Sequence, residues 1–361
     1  MKVGILLPTN IYFAPYSRLY TDILDEANVE YDIIYFDKRD MDEPAAYRFS
    51  ATVSTTDGML KRLWGYLRYS FFLRRVIKKE NYDKLIVCGP QIALFLYKFL
   101  KKKYAGKFIM DYRDLSIEQR FKSRYKKILS ISACNVISSP GFRRCLPEGE
   151  YVLSHNIRME LLEKGFAEQR KDMSHHLTLI DGKIVVLTIG GIRDFEQNAA
   201  IMQALANQPG FETAYIGRGE EGADVKLRDL AKKESIENVC FSGFYKKEDE
   251  PNIIRRCTFL NIFYPRKMSH DTALSNRFYS SLIFRKPMIT TAGTTQGDYA
   301  SRYGVGVAIV DNRNLCRQLH DYVENFNDEV YERNRNQLLN EIYKDCQTFR
   351  NAVISFLKDE R

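Results

Sequence analysis

The chain has 361 residues, 45% hydrophobic and 28% charged, the composition of a soluble globular protein long enough for two domains with separate cores. Its formal net charge of +9 at pH 7 points to an anionic partner: a nucleotide, a phospholipid or a nucleic acid. No apolar run approaches the ~18 residues of a membrane span, and the apolar run of the opening MKVGILLPTN is short and stops at Pro8, so neither a span nor a secretory leader is expected.

In chain order, KVGILLP (2–8), YDIIYF (31–36), DKLIVCG (83–89), KFIMD (107–111) and NVISS (135–139) are short, β-branched and continuously apolar, as strands covered on both faces should be. Helix-period segments such as QIALFLYKFLKKK (91–103) lie between them. YVLSHNI (151–157) and the polar stretch 163–183 mark a boundary. The scheme then repeats with KIVVLTIGG, TAYIGRG, NVCFSGF, TFLNIFY, KPMITT and VGVAIVD. Strands alternating with helices predict an α/β protein with two doubly wound, Rossmann-like domains. The expected limits are 1–157 and 158–325, followed by a helical segment, 326–361, available to pack back on the first domain. The seven cysteines form no C-x-x-C pair, which argues against a zinc ribbon or redox motif, and the expected setting is a reducing cytoplasm.

Ligands of such sheets sit beyond the carboxyl ends of the strands, so residues just after strands carry the information. After the first strand of the second half, Gly190 and Gly191 let backbone amides approach a phosphate and Arg193 follows within reach. The pattern is short of G-x-G-x-x-G, so a standard dinucleotide site is disfavoured; a structural turn and a phosphate contact both stay open. Phe244 and Tyr245 follow a third strand, where a ring would stack on a base or pack a loop. In YPRKMSHDTALSNRFYSSL (264–282) a polar loop enters a helix with Ser275 at the N-cap position. Amides at that end, with Arg277, would bind a diphosphate without a metal, and Arg266 and Lys267 add charge nearby. An ordinary solvated arginine is the competing reading. No Asp-x-Asp stands at a strand end, so no metal or other cofactor is expected.

In the first half, DYRD brings Asp111, Arg113 and Asp114 to the end of a strand. They hydrogen-bond sugar or acceptor hydroxyls, or form a network that braces the sheet. His155, in the boundary segment, contacts a donor sugar or satisfies backbone groups; His175 and His176 lie in a polar loop and are expected to be solvated.

The order GGIRD, YIGRG, FSGFY, LSNRFYSSLIFRKPMITT resembles the donor domain of GT-B glycosyltransferases, and most the family 4-like enzymes of bacterial surface-polysaccharide and capsule assembly. In that family the last segment reads N-K-hydrophobic-Y-E and then G-K-P-hydrophobic-I; Asn276, Arg277, Phe278, Tyr279 and Lys286-Pro287 match it. DYRDLS, and ISSPGF followed by YVLSHNI, look like that family's inner cleft and crossover. The resemblance implies two domains facing each other across a cleft. It also implies transfer of a sugar from a nucleotide-sugar donor to a hydroxyl of a glycan or polyprenyl-linked acceptor, with retention and without metal. It assigns donor binding to Gly190, Gly191, Arg193, Phe244, Tyr245, Ser275, Asn276, Arg277, Phe278, Tyr279 and Ser280, and catalysis to Asp114, Arg113 and His155. Two departures stand out. Thr272 and Ser280 occupy the places of the Glu-x7-Glu pair whose second Glu holds the donor ribose, and Asn198 stands near the usual phosphate-binding Lys. Ribose contacts then fall to Ser280 or to backbone, or the donor is atypical. A GT-B-fold epimerase and a catalytically silent partner subunit share these features. Nucleic-acid binding on charge alone is not expected, because no nucleic-acid motif appears.

One more segment is unusual. In MLKRLWGYLRYSFFLRRVIKK (59–79), Leu60, Leu63, Trp64, Leu67 and Phe71 fall along one helical face, with seven cations and no acid among them. A basic amphipathic helix of this kind suits an anionic membrane surface, making Trp64, Arg68, Phe71, Arg74 and Arg75 membrane- or acceptor-contacting candidates at the inner face of the plasma membrane. Packing of the same stripe on the first sheet is the alternative.

Overall fold

The structure, a computed structural model, describes residues 1–51, 58–168 and 180–359; His175 and His176 lie outside them. The chain divides into two compact units, one of Met1–Asn156 with Lys344–Arg361 and one of Ile157–Tyr343.

The first unit is built from β1 (Lys2–Leu7), α1 (Ser17–Glu26), β2 (Glu30–Asp37), β3 (Tyr47–Ser50), α2 (Met59–Glu80), β4 (Lys84–Cys88), α3 (Pro90–Lys103), β5 (Phe108–Tyr112), α4 (Lys122–Leu129), β6 (Cys134–Ile137) and β7 (Val152–Leu153). Its seven strands form a parallel sheet in the order β3-β2-β1-β4-β5-β6-β7. The central β4 and β5 are buried throughout, which is why they read as unbroken apolar runs. The edge strands β3 and β7 do not: β3 alternates half-buried with exposed residues, and β7 has two residues.

The second unit contains α5 (Met159–Glu168), β8 (Ile184–Ile192), α6 (Phe195–Ala204), β9 (Phe211–Gly219), α7 (Ala223–Lys233), β10 (Val239–Ser242), α8 (Glu250–Arg255), β11 (Phe259–Ile262), α9 (Met268–Thr272), α10 (Asn276–Ile283), β12 (Met288–Thr291), α11 (Thr295–Tyr303), β13 (Gly306–Ile309) and α12 (Leu315–Glu324). Its six strands are parallel in the order β10-β9-β8-β11-β12-β13. The strand order reverses between β8 and β11, and the crevice beyond a reversal is where an open parallel sheet takes ligands.

The C-terminal segment is a single helix, α13 (Asp328–Lys358), shared by the two units rather than separate from both. Near its start the buried Arg335 donates to the Leu282 carbonyl at 2.7 Å. Near its end Phe349, Val353, Phe356 and Leu357 pack with Val3, Ile5, Ile86 and Ile109 of the first sheet. The Lys84 ammonium reaches the carbonyls of Phe356 and Asp359, placing a cation on the negative end of the helix dipole.

The glycines of TIGG and IGRG lie inside strands, not in turns after them. β8 and β9 stay paired as far as Ile192 and Gly219, whereas β10 leaves β9 at Ile216. Gly217 has φ +135° and a Cβ there would lie 2.0 Å from the Gly190 carbonyl oxygen, so only glycine fits. The G-R-G spacing thus answers first to packing of the β8–β9 ribbon.

Candidate functional site

Ser275 caps α10: its Oγ accepts from the Phe278 amide, and its own N–H and Oγ–H donate to Gln296 Oε1 at 2.9 and 2.7 Å. The helix buries Phe278, Tyr279, Ser281, Leu282 and Ile283. Phe278 and Tyr279 are therefore core residues, packed on each other, with Phe278 also against Tyr299, and their side chains do not present themselves to a donor as expected from the motif. The register that buries them leaves Asn276 exposed and Arg277 half-buried at the start of the helix.

Arg277 lies at the strand reversal. Its Nε donates to the Ile189 carbonyl at 2.6 Å, Nη2 to Gly191 at 2.8 Å and Nη1 to Asn261 at 3.2 Å, so the guanidinium bridges the carboxyl ends of β8 and β11. Its carbon sits 5.9 Å from the Tyr264 ring centroid. Among the described residues no carboxylate lies within ion-pairing distance of it. Carbonyls orient a guanidinium but leave its charge uncancelled, and a positive charge fixed at the end of a parallel sheet attracts an anion.

The turn after β8 is shaped from below. Asn198 is buried; its Nδ2 donates to the Arg193 and Asp194 carbonyls, and its Oδ1 accepts from Thr188 Oγ1 at 3.3 Å and Asn261 Nδ2 at 3.2 Å. The residue standing where a phosphate-binding lysine was expected is thus spent on holding the turn. Three other cations named from the sequence are paired: Arg193 Nε with Glu220 at 2.9 Å, Lys267 with Asp194 at 2.9 Å, and Arg266 with both oxygens of Asp271 at 2.9 and 3.2 Å. His270 lies 3.9 Å from Asp194, and burial pushes its pKa down against the pull of that carboxylate.

Phe244 is 87% exposed in the loop after β10, with a free face for stacking. Tyr245 instead packs against the cluster of Ile189 and Ile254 beside Gly190, and its hydroxyl donates to Glu250 at 2.6 Å. At the positions of the absent Glu pair, Thr272 is buried with its hydroxyl on the Met268 carbonyl at 2.7 Å, and Ser280 is half-buried. Sequence reading passed over Glu220, Asn261 and Tyr264. Each lies within two residues of a strand's carboxyl end, which is the signal that would have found them.

In the first unit Arg113 and His155 take the bracing roles that the sequence left open beside the catalytic ones. Arg113 is buried and forked onto Asp111 at 2.7 and 2.8 Å; it also donates to the Ser154 carbonyl at 2.9 Å and to Ser154 Oγ at 3.0 Å. Tyr20 donates to the same carboxylate at 2.7 Å, and the Tyr16 ring lies 4.8 Å from the guanidinium. Both terminal nitrogens of the guanidinium are spent on Asp111 and Ser154, so Arg113 braces the sheet end. His155 is 1% exposed, with Nε2 3.1 Å from the Asp345 carboxylate of α13; it ties that helix down. Asp114 alone of the three catalytic candidates is exposed.

On α2 the sheet-facing residues are Tyr69, Leu73, Val76 and Ile77, all buried. The stripe read from the sequence faces outward: Leu60 is 77%, Trp64 62% and Phe71 59% exposed. Arg68 and Arg75 are exposed too, while Arg74 is half-buried and donates to the Phe95 carbonyl of α3 at 2.8 Å. α3 packs beside both α2 and α4. The three helices carry seven, four and four Lys or Arg residues and one acid, Glu80.

Among the described residues no three His, Cys, Asp or Glu side chains gather as metal ligands would, and no helix is long and apolar enough to cross a membrane. No protein-family model matches the chain, and no curated protein sequence does. Solved structures match it over its whole length. A lipopolysaccharide outer core galactosyltransferase, WaaB, in its apo form aligns with TM-score 0.65 and 13% identity, covering 98% of this chain and 99% of that one. A UDP-forming α,α-trehalose-phosphate synthase from Burkholderia xenovorans aligns with TM-score 0.68 and 8% identity over 99% and 100%. A sucrose-phosphate synthase from Thermosynechococcus elongatus aligns with TM-score 0.66 and 12% identity over 98% and 97%. At such identities the likeness is one of fold: two parallel-sheet Rossmann-like domains of the GT-B type.

Proposed function

We propose that the chain is a glycosyltransferase that takes a sugar from a nucleotide-sugar donor, with the diphosphate at the end of β8 and β11. The observation that carries this reading is Arg277, a cation held by three backbone carbonyls at the strand reversal, with no acid among the described residues to neutralise it. As the anomeric carbon–oxygen bond breaks, its electron pair passes to the leaving diphosphate. Arg277, Arg193 and the first amides of α10 meet the growing negative charge in place of a metal ion. The acceptor hydroxyl forms the new bond on the same face, and its proton passes to a phosphate oxygen, so configuration is retained and no strong protein base is needed. Among the first-unit residues we assign Asp114, the exposed one, to acceptor hydroxyls.

The acceptor we propose is a glycan or polyprenyl-linked glycan of surface-polysaccharide assembly, presented at an anionic membrane on which α2 docks peripherally. The outward Leu60–Trp64–Phe71 stripe, flanked by cations almost without acids, supports that contact.

A thermal-shift screen with UDP-, GDP-, CMP- and dTDP-sugars tests the donor site. At 100-fold excess over Kd a ligand stabilises by about 2.7 kcal/mol. A wild-type shift, lost in Arg277→Gln and kept in the surface control Arg317→Ala, each measured against its own ligand-free baseline, is the expected result. A wild type indifferent to every donor at millimolar concentration overturns the proposal. Interconversion of the bound sugar without acceptor would identify an epimerase instead.

A further inference from the structure

In the proposed donor site Thr272 and Ser280 stand where the family resemblance places an acidic pair, whose second member would accept from the vicinal ribose hydroxyls. Glu220 supplies a carboxylate from another element. It is the first residue after β9 and is exposed. Because β8 and β9 run on as a ribbon to Ile192 and Gly219, Glu220 emerges level with Arg193, and the two are joined at 2.9 Å. Its carboxylate lies over Gly191, with Oε1 3.6 Å from the point a Cβ on that glycine would occupy. The carbonyl of the same glycine is held by Arg277 at 2.8 Å.

The order of the strands then spells out a nucleotide. Phe244, the exposed ring, follows β10; Glu220 follows β9; Arg193 follows β8; and Arg277 bridges β8 to β11, in a sheet that runs β10-β9-β8-β11. Neighbouring strands lie about 4.8 Å apart, so a base on the ring and a diphosphate on the two arginines place the ribose over the end of β9. We infer that Glu220 is the residue that recognises the ribose hydroxyls, and that it is freed to do so when the diphosphate takes Arg193 from it. The bound carboxylate holds the place of the phosphate in the ligand-free site and turns to the sugar when the phosphate arrives. This assignment rests on the proposed donor site, and it makes Glu220 a specificity residue: ribonucleotides are preferred to those without ribose hydroxyls.

The test measures binding of UDP, GDP, their 2′,3′-dideoxy counterparts and inorganic pyrophosphate by calorimetry. Wild type should prefer the ribonucleotide by about tenfold or more, the loss expected when a charged group forfeits its hydrogen bonds. In Glu220→Ala, a surface change that spares the core, the preference should fall to within about twofold, while pyrophosphate binds as well as or better than to wild type because Arg193 is released. Arg193→Ala should do the reverse, weakening pyrophosphate and keeping the ribose preference. If Glu220→Ala retains the preference, or wild type has none, the role of Glu220 is overturned and the donor site stands. If wild type binds neither nucleotides nor pyrophosphate, the donor site falls and this assignment with it.

Discussion

Arg113 separates a sheet-end brace from a catalytic arginine. Replacing it with methionine strands the Asp111 carboxylate, 0% exposed, with the Tyr20 hydroxyl as its remaining hydrogen-bond partner. It also removes two donors from Ser154, which hold the boundary segment to the sheet. Breaking a buried ion pair from one side costs about 3–5 kcal/mol. In a unit of this size each kilocalorie moves the melting temperature by about 2–4 °C, so the first-unit transition should fall by about 10 °C in differential scanning calorimetry. The double variant Asp111→Leu/Arg113→Met, which leaves no buried charge, should recover most of the loss. Nucleotide affinity, which the proposed function assigns to the second unit, should not change. An Arg113→Met protein that melts within about 2 °C of wild type but has lost turnover would refute the reasoning and return Arg113 to the chemistry.

Two further outcomes follow from the first unit. The protein should sediment with phosphatidylglycerol-containing vesicles but not with pure phosphatidylcholine, and salt should release it. Trp64→Ser/Phe71→Ser should weaken binding at least about tenfold, from the apolar area withdrawn, and Arg68→Glu/Arg75→Glu should abolish it. Equal binding to neutral vesicles, or retention of single-stranded DNA with no vesicle binding, would show the surface to serve something else. The second outcome concerns pH. Burial, aided by Arg62, lowers the Lys38 pKa from 10.5 to about 8; its ammonium donates to Tyr66 at 2.8 Å. Between those values the unfolded chain holds a proton that the folded one lacks, so stability rises with pH across this window, and the cost of a charged Lys38 is fully present below pH 8. Lys38→Met should therefore stabilise the protein at neutral pH by about 2 kcal/mol, part of the gain being cancelled by lost ring contacts. Denaturant titrations at neutral and strongly alkaline pH should show that gain vanishing as pH rises; a gain independent of pH would contradict the assignment.

Most of the eleven strands read from the sequence have buried residues in a row, such as β4 and β5, since burial on both faces leaves a continuous apolar signature. The edge strand β10 alternates half-buried with exposed residues and was legible from its apolar Val239, Cys240 and Phe241. The two strands missed are edges: half of β3 faces water, and β7 is too short to show any period. The site was less legible for a different reason. A sequence displays which residues follow strands, but not who pairs with whom across 30 or more positions. Asp111 and Arg113 looked like a cleft pair until Ser154, 41 residues on, took the free edge of the guanidinium. Phe278 and Tyr279 match a donor motif because the motif includes the residues that bury the helix as well as the one that meets the ligand. On α2 the stripe was visible, but its direction was not. Both faces of the helix are apolar, and the sheet took Tyr69, Leu73, Val76 and Ile77 instead.

The charge pattern of the donor region explains why the motif departures occur together. A lysine at the position of Asn198 would sit under the turn after β8, where Thr188, Asn261 and two backbone carbonyls now meet a neutral amide. A buried ammonium there could donate to the carbonyls but not accept from Thr188 and Asn261. With asparagine in that place the turn is held by a neutral network, and the positive charge moves to the rim, to Arg193 and Lys267, each closed by an acid. That leaves Arg277 as the fixed cation and the rim pairs as exchangeable ones. On the proposed reading, an arriving diphosphate displaces a carboxylate to gain a second arginine, and the displaced group is the one assigned to the ribose. The Arg193–Glu220 pair would then serve in place of both the lysine beneath the turn and the glutamate on the helix that the family resemblance led one to expect.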